Sequence, residues 1–590
     1  MNPGCYRLRL FCDLFRVFVL PSLCLWFVLR ALDARLGILF SIPLYLAFMA
    51  LWAVGKGIVS RSNHARTARQ LGAQPIRQVV GKWPGNIDVL LKMMRAFKTS
   101  YVLDVYLQLF EEYQCTTLNT RILWTDHIIT MDQQHSKFVL STGFGHFWRG
   151  HAQKERLETF LGQGIFNRDD EIWKMHRNVA RPFFARERIS DFDIFEKYTR
   201  RALSLVTTNQ PCDAQDLFSR LTLDAASEFL FGTDLQTLGA ALPIAGKTAM
   251  GPKGSATDDS WGAFARAFEM AQQTVTARGR IGHMWPLFEL FGDKNAGNVR
   301  VIRAWLDPLV QRAVDDKRQA RKAGIDSPVA DKTFLQHLAD STDDPVLIRD
   351  QLLSVLLASR DTTACLLTFV TYFMAIYPEV ARKLRADVLS HCGPHGMPTY
   401  EHIRDMKYLR AVLNEVLRLY PPVPLNVRES RAAACTLPPA DASYPAADAR
   451  PLYMPGGTPI MYLPLLMQRN PALWGADADV FDPERWLVPA RVAAFVENPT
   501  MYAPFSAGPR ICLGQNYALN EAAYALVRLL QEFDSVALAP EAQPAGSLPP
   551  PEWKARRGRQ AVERVWPAAA LTLYVKGGLW VKFGRARVAA

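Results

Sequence analysis

The sequence predicts a mainly α protein with a small β component, preceded by a membrane anchor. Apolar residues recur at three- to four-residue spacing, as in amphipathic helices, over residues 213–231, 263–276, 298–323, 345–377 and 406–419. Strand patterns are short and cluster late, at residues 459–462, 571–575 and 579–583. A charge-free apolar run of twenty residues, 36–55, lies well before the first of these helices.

The apolar run over residues 36–55 is predicted to be a transmembrane helix. It is flanked by Arg35 and Lys56, and as a helix it is about 30 Å long, the thickness of a bilayer core. Pro43 within it predicts a kink rather than a break. Arginines on both sides leave the orientation of this segment open. The alternative is a buried core helix.

An earlier apolar stretch, residues 17–29, is interrupted by Pro21 and is too short to span a bilayer comfortably. It is compatible with a re-entrant segment, an interfacial segment or the core of a signal peptide. We therefore expect an anchor over residues 1–60, a basic linker over 61–84 and one large domain over 85–590.

Two segments of the large domain are predicted to be loop insertions, residues 239–260 and 539–567. The second is basic and would contact a membrane or an acidic partner, or would simply be solvated; it carries Lys554, Arg556, Arg557, Arg559 and Arg564. The strands at 571–575 and 579–583 flank Lys576-Gly577-Gly578, which predicts a hairpin.

Composition narrows the function classes. The chain has 590 residues, 49% of them hydrophobic, and can bury a large core. Its nine cysteines include no Cys-x-x-Cys pair, so we expect neither a zinc site nor a disulfide framework. We expect the protein to lie in a reducing compartment. The net charge of +13 suits nucleic acid, an anionic membrane or an acidic partner. Because no nucleic-acid motif accompanies the charge, we expect a membrane or a protein partner.

The most specific chemical pattern is Phe-Ser-Ala-Gly-Pro-Arg-Ile-Cys-Leu-Gly at residues 505–514. A thiolate from Cys512 is a soft iron ligand, and a haem iron held by cysteine favours O–O bond cleavage. Gly508 and Gly514 allow a tight turn that approaches a flat macrocycle. Arg510 can reach a haem propionate. The alternative is a buried free cysteine in a glycine-rich turn.

This pattern resembles the signature of the cytochrome P450 family, Phe-x-x-Gly-x-Arg-x-Cys-x-Gly. The resemblance implies the P450 fold and a haem-thiolate monooxygenase domain over residues 85–590, apart from the two insertions. It also implies haem b with Cys512 as the axial thiolate ligand. Phe505, Arg510 and Gly514 would complete the cofactor-binding loop.

A long helix is predicted to begin at Pro345, after Asp344 as N-cap. It is apolar almost all round and should be buried. In its middle, Arg360-Asp361-Thr362-Thr363 needs partners or a function, because an unpaired buried polar group costs a few kcal/mol. One alternative is a helix kink whose Ser and Thr side chains bond back to the backbone.

Residues 358–363 are similar to the family's Ala/Gly-Gly-x-Asp/Glu-Thr-Thr stretch. The resemblance implies that Thr362 positions oxygen and water, that Asp361 delivers protons and that Ala358 lines the substrate pocket. Ser359 replaces the usual glycine and adds a hydroxyl that would narrow this pocket.

Glu415 and Arg418 lie three residues apart on a predicted helix and therefore share one face. An exposed pair of this kind contributes well under about 1 kcal/mol. The family instead buries such a Glu-x-x-Arg pair and joins it to a second arginine. Arg485 is its counterpart here, in a Pro-Glu-Arg-Trp segment that resembles the family's Pro-Glu-Arg-Phe. These three residues would be structural.

Three further residues are assigned to the haem propionates by resemblance. Trp173 and Arg177 match the family's Trp-x-x-x-Arg, and one helical turn brings them to the same face. Arg428 matches a family position that also binds propionate. Together with Arg510, these arginines would satisfy two buried carboxylates.

The substrate pocket is predicted to have an apolar wall at residues 421–427 that includes Val423 and Leu425. This stretch and residues 161–167 resemble fungal alkane and fatty-acid hydroxylases of the P450 family. An apolar wall and a membrane anchor both suit a lipophilic substrate.

We therefore expect a membrane-anchored monooxygenase that inserts one atom of O₂ into an alkane or a fatty acid. It would sit in the endoplasmic reticulum membrane with the catalytic domain in the cytosol. Because no flavin or nicotinamide motif is visible, electrons would come from NADPH–cytochrome P450 reductase, with cytochrome b5 as a second donor. The alternatives are oxidation of xenobiotic or aromatic compounds, a peroxide isomerase and a haem sensor.

Overall fold

The computed structural model describes residues 5–34, 37–185, 192–257, 262–323, 332–441, 444 and 450–586. Helices dominate it. The α-helices in the first half are Tyr6–Leu14, Leu20–Ala31, Ile38–Gln70, Ile87–Thr99, Asp104–Tyr113, Gln133–Lys137, His151–Leu161, Asp170–Ala180, Asp193–Ser204, Ala214–Phe231 and Gly262–Ile281. Those in the second half are Ala296–Ala323, Phe334–Ser341, Pro345–Ile376, Pro378–Cys392, Tyr400–Asp405, Lys407–Leu419, Pro464–Met467, Pro471–Trp474, Pro489–Glu497, Gln515–Glu532 and Arg559–Val562.

The five helices predicted from periodicity are confirmed; four of their ten ends are as predicted and the others are shifted by one to five residues. The central one is Pro345–Ile376, which packs along Ala214–Phe231 and is almost entirely buried. Its start is fixed as predicted, because the Asp344 carboxylate accepts the backbone N–H groups of Val346 at 2.9 Å and Leu347 at 3.3 Å. This helix forms one wall of the main cavity.

Among the described residues, the β structure is small and lies in four sheets. The strands are Gln74–Pro75, Thr117–Asn119, Ile128–Thr130, Phe147–Trp148, Cys212–Asp213, Asn426–Ser430, Cys435–Leu437, Leu452–Met454, Pro459–Tyr462, Phe533–Leu538, Pro567–Ala569, Leu573–Val575 and Trp580–Arg585. In the largest sheet, Asn426–Ser430 lies between Pro459–Tyr462 and the edge strand Phe147–Trp148. This arrangement brings Arg149, which follows the edge strand, close to Arg428.

The hairpin predicted around residues 576–578 is wrong, although both strands exist. Leu573–Val575 pairs with Pro567–Ala569, whereas Trp580–Arg585 pairs with Phe533–Leu538 and with Cys212–Asp213. Gly577 and Gly578 have φ of 78° and 87° and turn the chain from one sheet into another. Strand pairing between distant segments therefore overrides the local turn pattern.

Two long apolar helices near the N-terminus satisfy the length and composition of a membrane span. One is Ile38–Gln70, and it contains the predicted span apart from Leu36, which lies outside the described residues, and Gly37. The other extends from Tyr6 to Ala31 through a π-helical turn at Phe15–Val19, so it is longer than the predicted 17–29. Pro345–Ile376 is also long and apolar, but 83% of its apolar window is buried inside the protein.

The segments predicted to be a linker and insertions make specific contacts. Within residues 61–84, Gln74–Pro75 pairs with Leu452–Met454. In the insertion at 539–567, Arg559 is buried and paired with Glu563 at 3.0 Å, so it does not contribute to a basic surface. In the insertion at 239–260, whose last three residues lie outside the described part, Lys253 is buried.

Candidate active site

One large cavity lies between the helix Pro345–Ile376, the helix Asp170–Ala180 and the loop at residues 505–514. Its volume is about 320 Å³, at the lower end of the range of about 300–1,000 Å³ typical of small-molecule sites. Ten of the twelve residues predicted for catalysis, cofactor binding or the substrate pocket line it. They are Trp173, Arg177, Ala358, Thr362, Val423, Arg428, Phe505, Arg510, Cys512 and Gly514.

In the loop that carries Cys512, the backbone conformation at one position, residue 508, is compatible only with glycine. Gly508 has φ of 65°, and a Cβ there would lie 1.9 Å from the carbonyl oxygen of Leu140. The loop closes through the backbone N–H of Cys512, which donates to the carbonyl of Phe505 at 3.0 Å. Cys512 therefore sits just before the helix Gln515–Glu532 in a fixed position.

Cys512 is a free cysteine whose side chain is exposed to the cavity although protein surrounds the site. Burial raises the pKa of its thiol, and the backbone N–H of Gly514 and the guanidinium of Arg177 oppose that rise. These two groups favour the thiolate. The site therefore presents a sulfur ligand toward an open space, as a soft metal ion requires.

Four arginines line the cavity, and three of them, Arg149, Arg428 and Arg510, form a cationic cluster. Burial lowers the pKa of Arg510 to about 10, with a further contribution from Arg428 and an opposing one from Asp169. The pKa of Arg149 is lowered well below its ordinary value by burial and by repulsion from the other two arginines. The cluster is therefore short of negative charge.

The carboxylate nearest to the cluster is Asp169, which binds Arg510 at 2.7 Å and Lys154 at 2.8 Å. Arg149 donates to the Oδ1 atom of Asn426 at 3.1 Å, and its Nε has no hydrogen-bond partner among the described residues. Buried guanidinium groups are strong donors to carboxylates. The cluster therefore suits a ligand that brings two carboxylates.

Arg149 was not among the predicted residues. No local motif marks it, and only the pairing of Phe147–Trp148 with Glu429 and Ser430 places it beside Arg428.

Trp173 and Arg177 lie on the same helical face, as predicted. Trp173 is buried, with the Arg510 guanidinium 4.3 Å from its ring centroid and that of Arg177 5.9 Å away. Arg177 also donates to the carbonyl of Ile511 at 2.9 Å, beside Cys512. This pair therefore joins the helix Asp170–Ala180 to the cysteine loop.

Thr362 faces the cavity from the middle of the central helix, with Ala358 and Ser359 beside it. The hydroxyl of Thr362 donates to the carbonyl of Ala358 at 2.5 Å, and that of Ser359 donates to the carbonyl of Val355 at 3.0 Å. Both side chains thus bond back to their own helix, which remains continuous. The oxygen of Thr362 keeps acceptor lone pairs toward the cavity.

Asp361 lies on the other side of the central helix and does not line the main cavity. Its carboxylate binds Lys253 at 2.6 Å and Arg360 at 3.1 Å. Burial raises the pKa of Asp361, but the two cations outweigh burial and hold this pKa below its ordinary value. Asp361 is therefore an ionised member of a buried ion pair.

A much smaller polar cavity, with a volume of about 20 Å³, adjoins this ion pair. Lys253 uses all three ammonium protons there, donating to Asp361, to Gln272 Oε1 at 2.9 Å and to Thr572 Oγ1 at 2.9 Å. Thr572 lines both the polar cavity and the main cavity. The sequence pattern marked neither Lys253 nor Thr572.

The predicted structural triad is buried away from the cavity. Glu415 and Arg418 are fully buried and form a bidentate pair at 2.7 and 2.8 Å, which excludes the alternative of a surface pair. Arg485 approaches Glu415 at 3.5 Å and binds Asp477 more closely, at 3.0 Å. Trp486 replaces the usual phenylalanine and donates its indole N–H to Glu415 at 3.0 Å.

Leu425 does not line the cavity, so its assignment to the substrate pocket is corrected. The chain bends at Pro422 and Val423, and the regular strand begins only at Asn426. Val423 therefore faces the cavity, whereas Leu425 packs against the main hydrophobic core. The apolar wall is completed by residues outside the prediction, namely Ile165, Phe166, Phe184, Val355 and Leu571.

Comparisons with known proteins place these features in one family. The family model described as Cytochrome P450 matches residues 90–552. Cytochrome P450 52E2 of Candida apicola is 36% identical over 481 residues, which cover 80% of this chain and 87% of that protein. Cytochrome P450 monooxygenase himC of Aspergillus japonicus is 34% identical over 471 residues, covering 79% of each. The crystal structure of the cytochrome P450DA heme domain aligns with a TM-score of 0.63 and 18% identity, over 87% of this chain and 98% of that one.

Proposed function

This chain belongs to the cytochrome P450 family, and from that premise we propose that it hydroxylates long aliphatic substrates, n-alkanes or fatty acids, that reach it from a membrane. It is a P450 monooxygenase, an enzyme that uses haem b with a cysteine thiolate ligand. When bound, haem b supplies the activation of O₂ at its iron. The residues around the main cavity supply binding, orientation and protons.

The described residues fit haem b. Cys512 would hold the iron through its sulfur, in a loop whose glycines permit close approach of the macrocycle. Arg149, Arg428 and Arg510 would bind the two propionates, which supply the negative charge that this cluster lacks.

The apolar wall of the cavity is the observation that carries the substrate class. Ile165 and Phe166 lie on the loop at 161–167, which is held to the central helix because the Asp350 carboxylate accepts the backbone N–H of Gln163 at 2.9 Å. A Cβ at Gly162 would lie 2.0 Å from that carboxylate, so the loop approaches it closely. A rigid apolar surface with few polar groups favours an alkyl chain.

Proton supply is assigned to the polar cavity behind the central helix. Lys253 donates to Thr572 at 2.9 Å, and Thr572 also lines the main cavity. Because Lys253 donates to the oxygen of Thr572, the hydroxyl hydrogen of Thr572 is left to donate to water in the main cavity. Thr362 would hold that water so that it can give up a proton, and Asp361 would hold Lys253 in place.

Electrons and location are proposed from the family. We place the catalytic domain, residues 85–590, on the cytosolic face of the endoplasmic reticulum, with residues 1–60 as anchor. NADPH–cytochrome P450 reductase would supply electrons, with cytochrome b5 as a second donor. The net charge of +13 suits an acidic redox partner.

The first test is turnover of a panel of n-alkanes, fatty acids and polycyclic aromatics by the purified full chain with a fungal reductase and NADPH. We expect hydroxylated alkanes or fatty acids, with the position of the oxygen located by mass spectrometry. Oxidation of the aromatic compounds alone would keep the monooxygenase and overturn the substrate class.

The role of Thr362 is tested with the variant Thr362→Ala, which removes the hydroxyl from the main cavity. Product formation should fall about 10²-fold, the usual contribution of a positioned proton-transfer group. Thr371→Ala is the matched variant, because Thr371 is buried on the same helix and lines neither cavity described above. Unchanged turnover in Thr362→Ala would exclude the assigned role.

A second prediction concerns the buried pair of Lys253 and Asp361. Lys253→Met should lower the free energy of unfolding by about 2 kcal/mol at neutral pH, because Asp361 loses one of its two cationic partners. Product formation should also fall, since the donor to Thr572 is lost. Chemical denaturation followed by tryptophan fluorescence measures the first effect.

The pH dependence of this effect has a definite sign. The folded-state pKa of Asp361 is depressed, so the stability from its pairing is present above the unfolded pKa of about 3.9 and is lost as pH falls through the folded value. The gap between wild type and Lys253→Met should therefore narrow on acidification. Asp361→Asn mimics the protonated acid, so in that background Lys253→Met should lower the free energy of unfolding by less. If the two substitutions instead lower the free energy of unfolding additively, the two residues are not coupled.

A further inference from the structure

The contacts of the two N-terminal helices, Tyr6–Ala31 and Ile38–Gln70, bear on how many times the chain crosses the membrane. A single span would place the residues before it on the side opposite the catalytic domain. In this structure, however, the first residues of Tyr6–Ala31 contact the catalytic domain itself.

That contact is both apolar and ionic. Tyr6 and Leu10 are buried, and the ring of Tyr6 lies 4.7 Å from that of Trp285. Arg9 binds Glu155 through two bonds, at 2.7 and 3.0 Å, and Asp13 at 2.9 Å. The beginning of the first helix is thus held against the same body that holds the cysteine loop.

The lengths beyond this contact fit two spans. From Leu14 to Ala31 the first helix has eighteen residues, about 27 Å at 1.5 Å per residue. Its charge-free part, residues 17–29, is about 20 Å long, so this helix crosses a bilayer core of about 30 Å with Arg16 and Arg30 extended toward the headgroups. From Ile38 to Gly55 the second helix is charge-free over eighteen residues, and Lys56 follows. Both segments expose large apolar side chains, including Phe18, Phe27 and Phe40.

The two helices pack antiparallel, and their charges align in levels. Ser22 Oγ lies 4.0 Å from the sulfur of Met49. Arg16 lies six residues before Ser22, and residue 55 lies six residues after Met49. In an antiparallel pair these two positions are at the same level, so Arg16 lies at about the level of Lys56, at the end near the catalytic domain. Arg30 lies at the other end of the first helix, about 21 Å from Arg16 at 1.5 Å per residue, and long arginine side chains extend this distance toward the headgroups.

The distribution of positive charge gives the orientation. Seven basic residues lie at the end near the catalytic domain: Arg7, Arg9, Arg16, Lys56, Arg61, Arg66 and Arg69. The connection between the helices has two, Arg30 and Arg35. Because cytoplasmic segments carry the excess of Lys and Arg, the end near the catalytic domain is the cytosolic one.

We propose that residues 14–55 cross the bilayer twice as a helical hairpin, so that Cys5 lies on the cytosolic side together with the catalytic domain. The segment that contacts Tyr6 supports this, because Phe288 is 59% and Phe291 99% exposed, as expected of apolar side chains at a membrane surface. The proposal rests on the membrane anchoring proposed above and is independent of the substrate class.

The test is labelling of sealed microsomes, from cells that express the full chain, with a membrane-impermeant maleimide that shifts mobility on a gel. Cys5 is exposed, and comparison with Cys5→Ser identifies its label. Asp33→Cys reports the connection between the helices, and Ser60→Cys is a control on the side of the catalytic domain in either topology. Each protein is labelled before and after permeabilisation with detergent.

The hairpin predicts that Cys5 and Ser60→Cys react in sealed vesicles, and that Asp33→Cys reacts only after detergent. If Cys5 and Asp33→Cys are both protected until detergent is added, only the second helix spans and the proposal is overturned. If both react in sealed vesicles, neither helix spans, which also overturns it. None of these outcomes depends on turnover, so the proposed substrate can fail or hold separately.

Discussion

Cys512→Ser is expected to abolish the red-shifted carbon-monoxide band of the reduced protein and all monooxygenase turnover. That band would report a thiolate ligand on the iron of bound haem. A serine hydroxyl at this position is not deprotonated near neutral pH and is a poor ligand for soft metal ions. A difference spectrum of the purified, dithionite-reduced full chain measures the band directly.

The matched control for this substitution is Cys115→Ser, because Cys115 is also a free, partly accessible cysteine but lies outside the cavity. That variant should keep the band in full. Haem content should be measured alongside, because the Arg149, Arg428 and Arg510 cluster would still bind the propionates of a weakly ligated haem. A band that survives in Cys512→Ser would mean that another residue is the ligand.

The parts of this protein that sequence predicts well are those in which the residues that determine the structure all lie in one short segment. The loop at 505–514 is such a case, because a glycine-rich turn and its cysteine are contiguous. The central helix is another, since its apolar residues and the cap at Asp344 are both local. Even the partner of Glu415 and Arg418, which is distant in sequence, can be predicted, because Arg485 has its own local pattern.

What sequence does not predict is the set of residues that only tertiary structure brings together. Lys253 lies in a segment predicted to be an insertion, more than a hundred residues before Asp361, and it meets that carboxylate only because both are buried on one side of the central helix. The strands around Gly577 and Gly578 show the same limit, because their partners are far away in the chain.

Glu415→Gln is expected to be among the most destabilising substitutions in this protein. The change keeps the size of the side chain but leaves the fully buried Arg418 guanidinium without its counter-charge. Breaking a buried ion pair by removing one partner typically costs about 3–5 kcal/mol. The carbonyls of Gln468 and Val480, which Arg418 also contacts, can accept hydrogen bonds but carry no net charge.

The damage should extend to the active site, although Glu415 does not line the cavity. The Glu415 carboxylate also accepts the backbone N–H of Asp482 and the indole N–H of Trp486, so it ties the segment at 481–486 to the helix Lys407–Leu419. Trp486 packs against Tyr502, just before the cysteine loop, with ring centroids 4.7 Å apart. Loss of Glu415 should therefore loosen the loop that carries Cys512 and release haem at a lower temperature.

Two measurements test this expectation: the free energy of unfolding in urea, and the temperature at which half of the red-shifted carbon-monoxide band is lost. The matched control is Asp405→Asn, which removes the same kind of charge from an exposed pair with Arg404 at 2.8 Å and should leave both quantities unchanged. The two pairs have almost the same distance and differ in burial. If Glu415→Gln behaved like Asp405→Asn, the burial of Glu415 and Arg418 would not be what stabilises the cysteine loop.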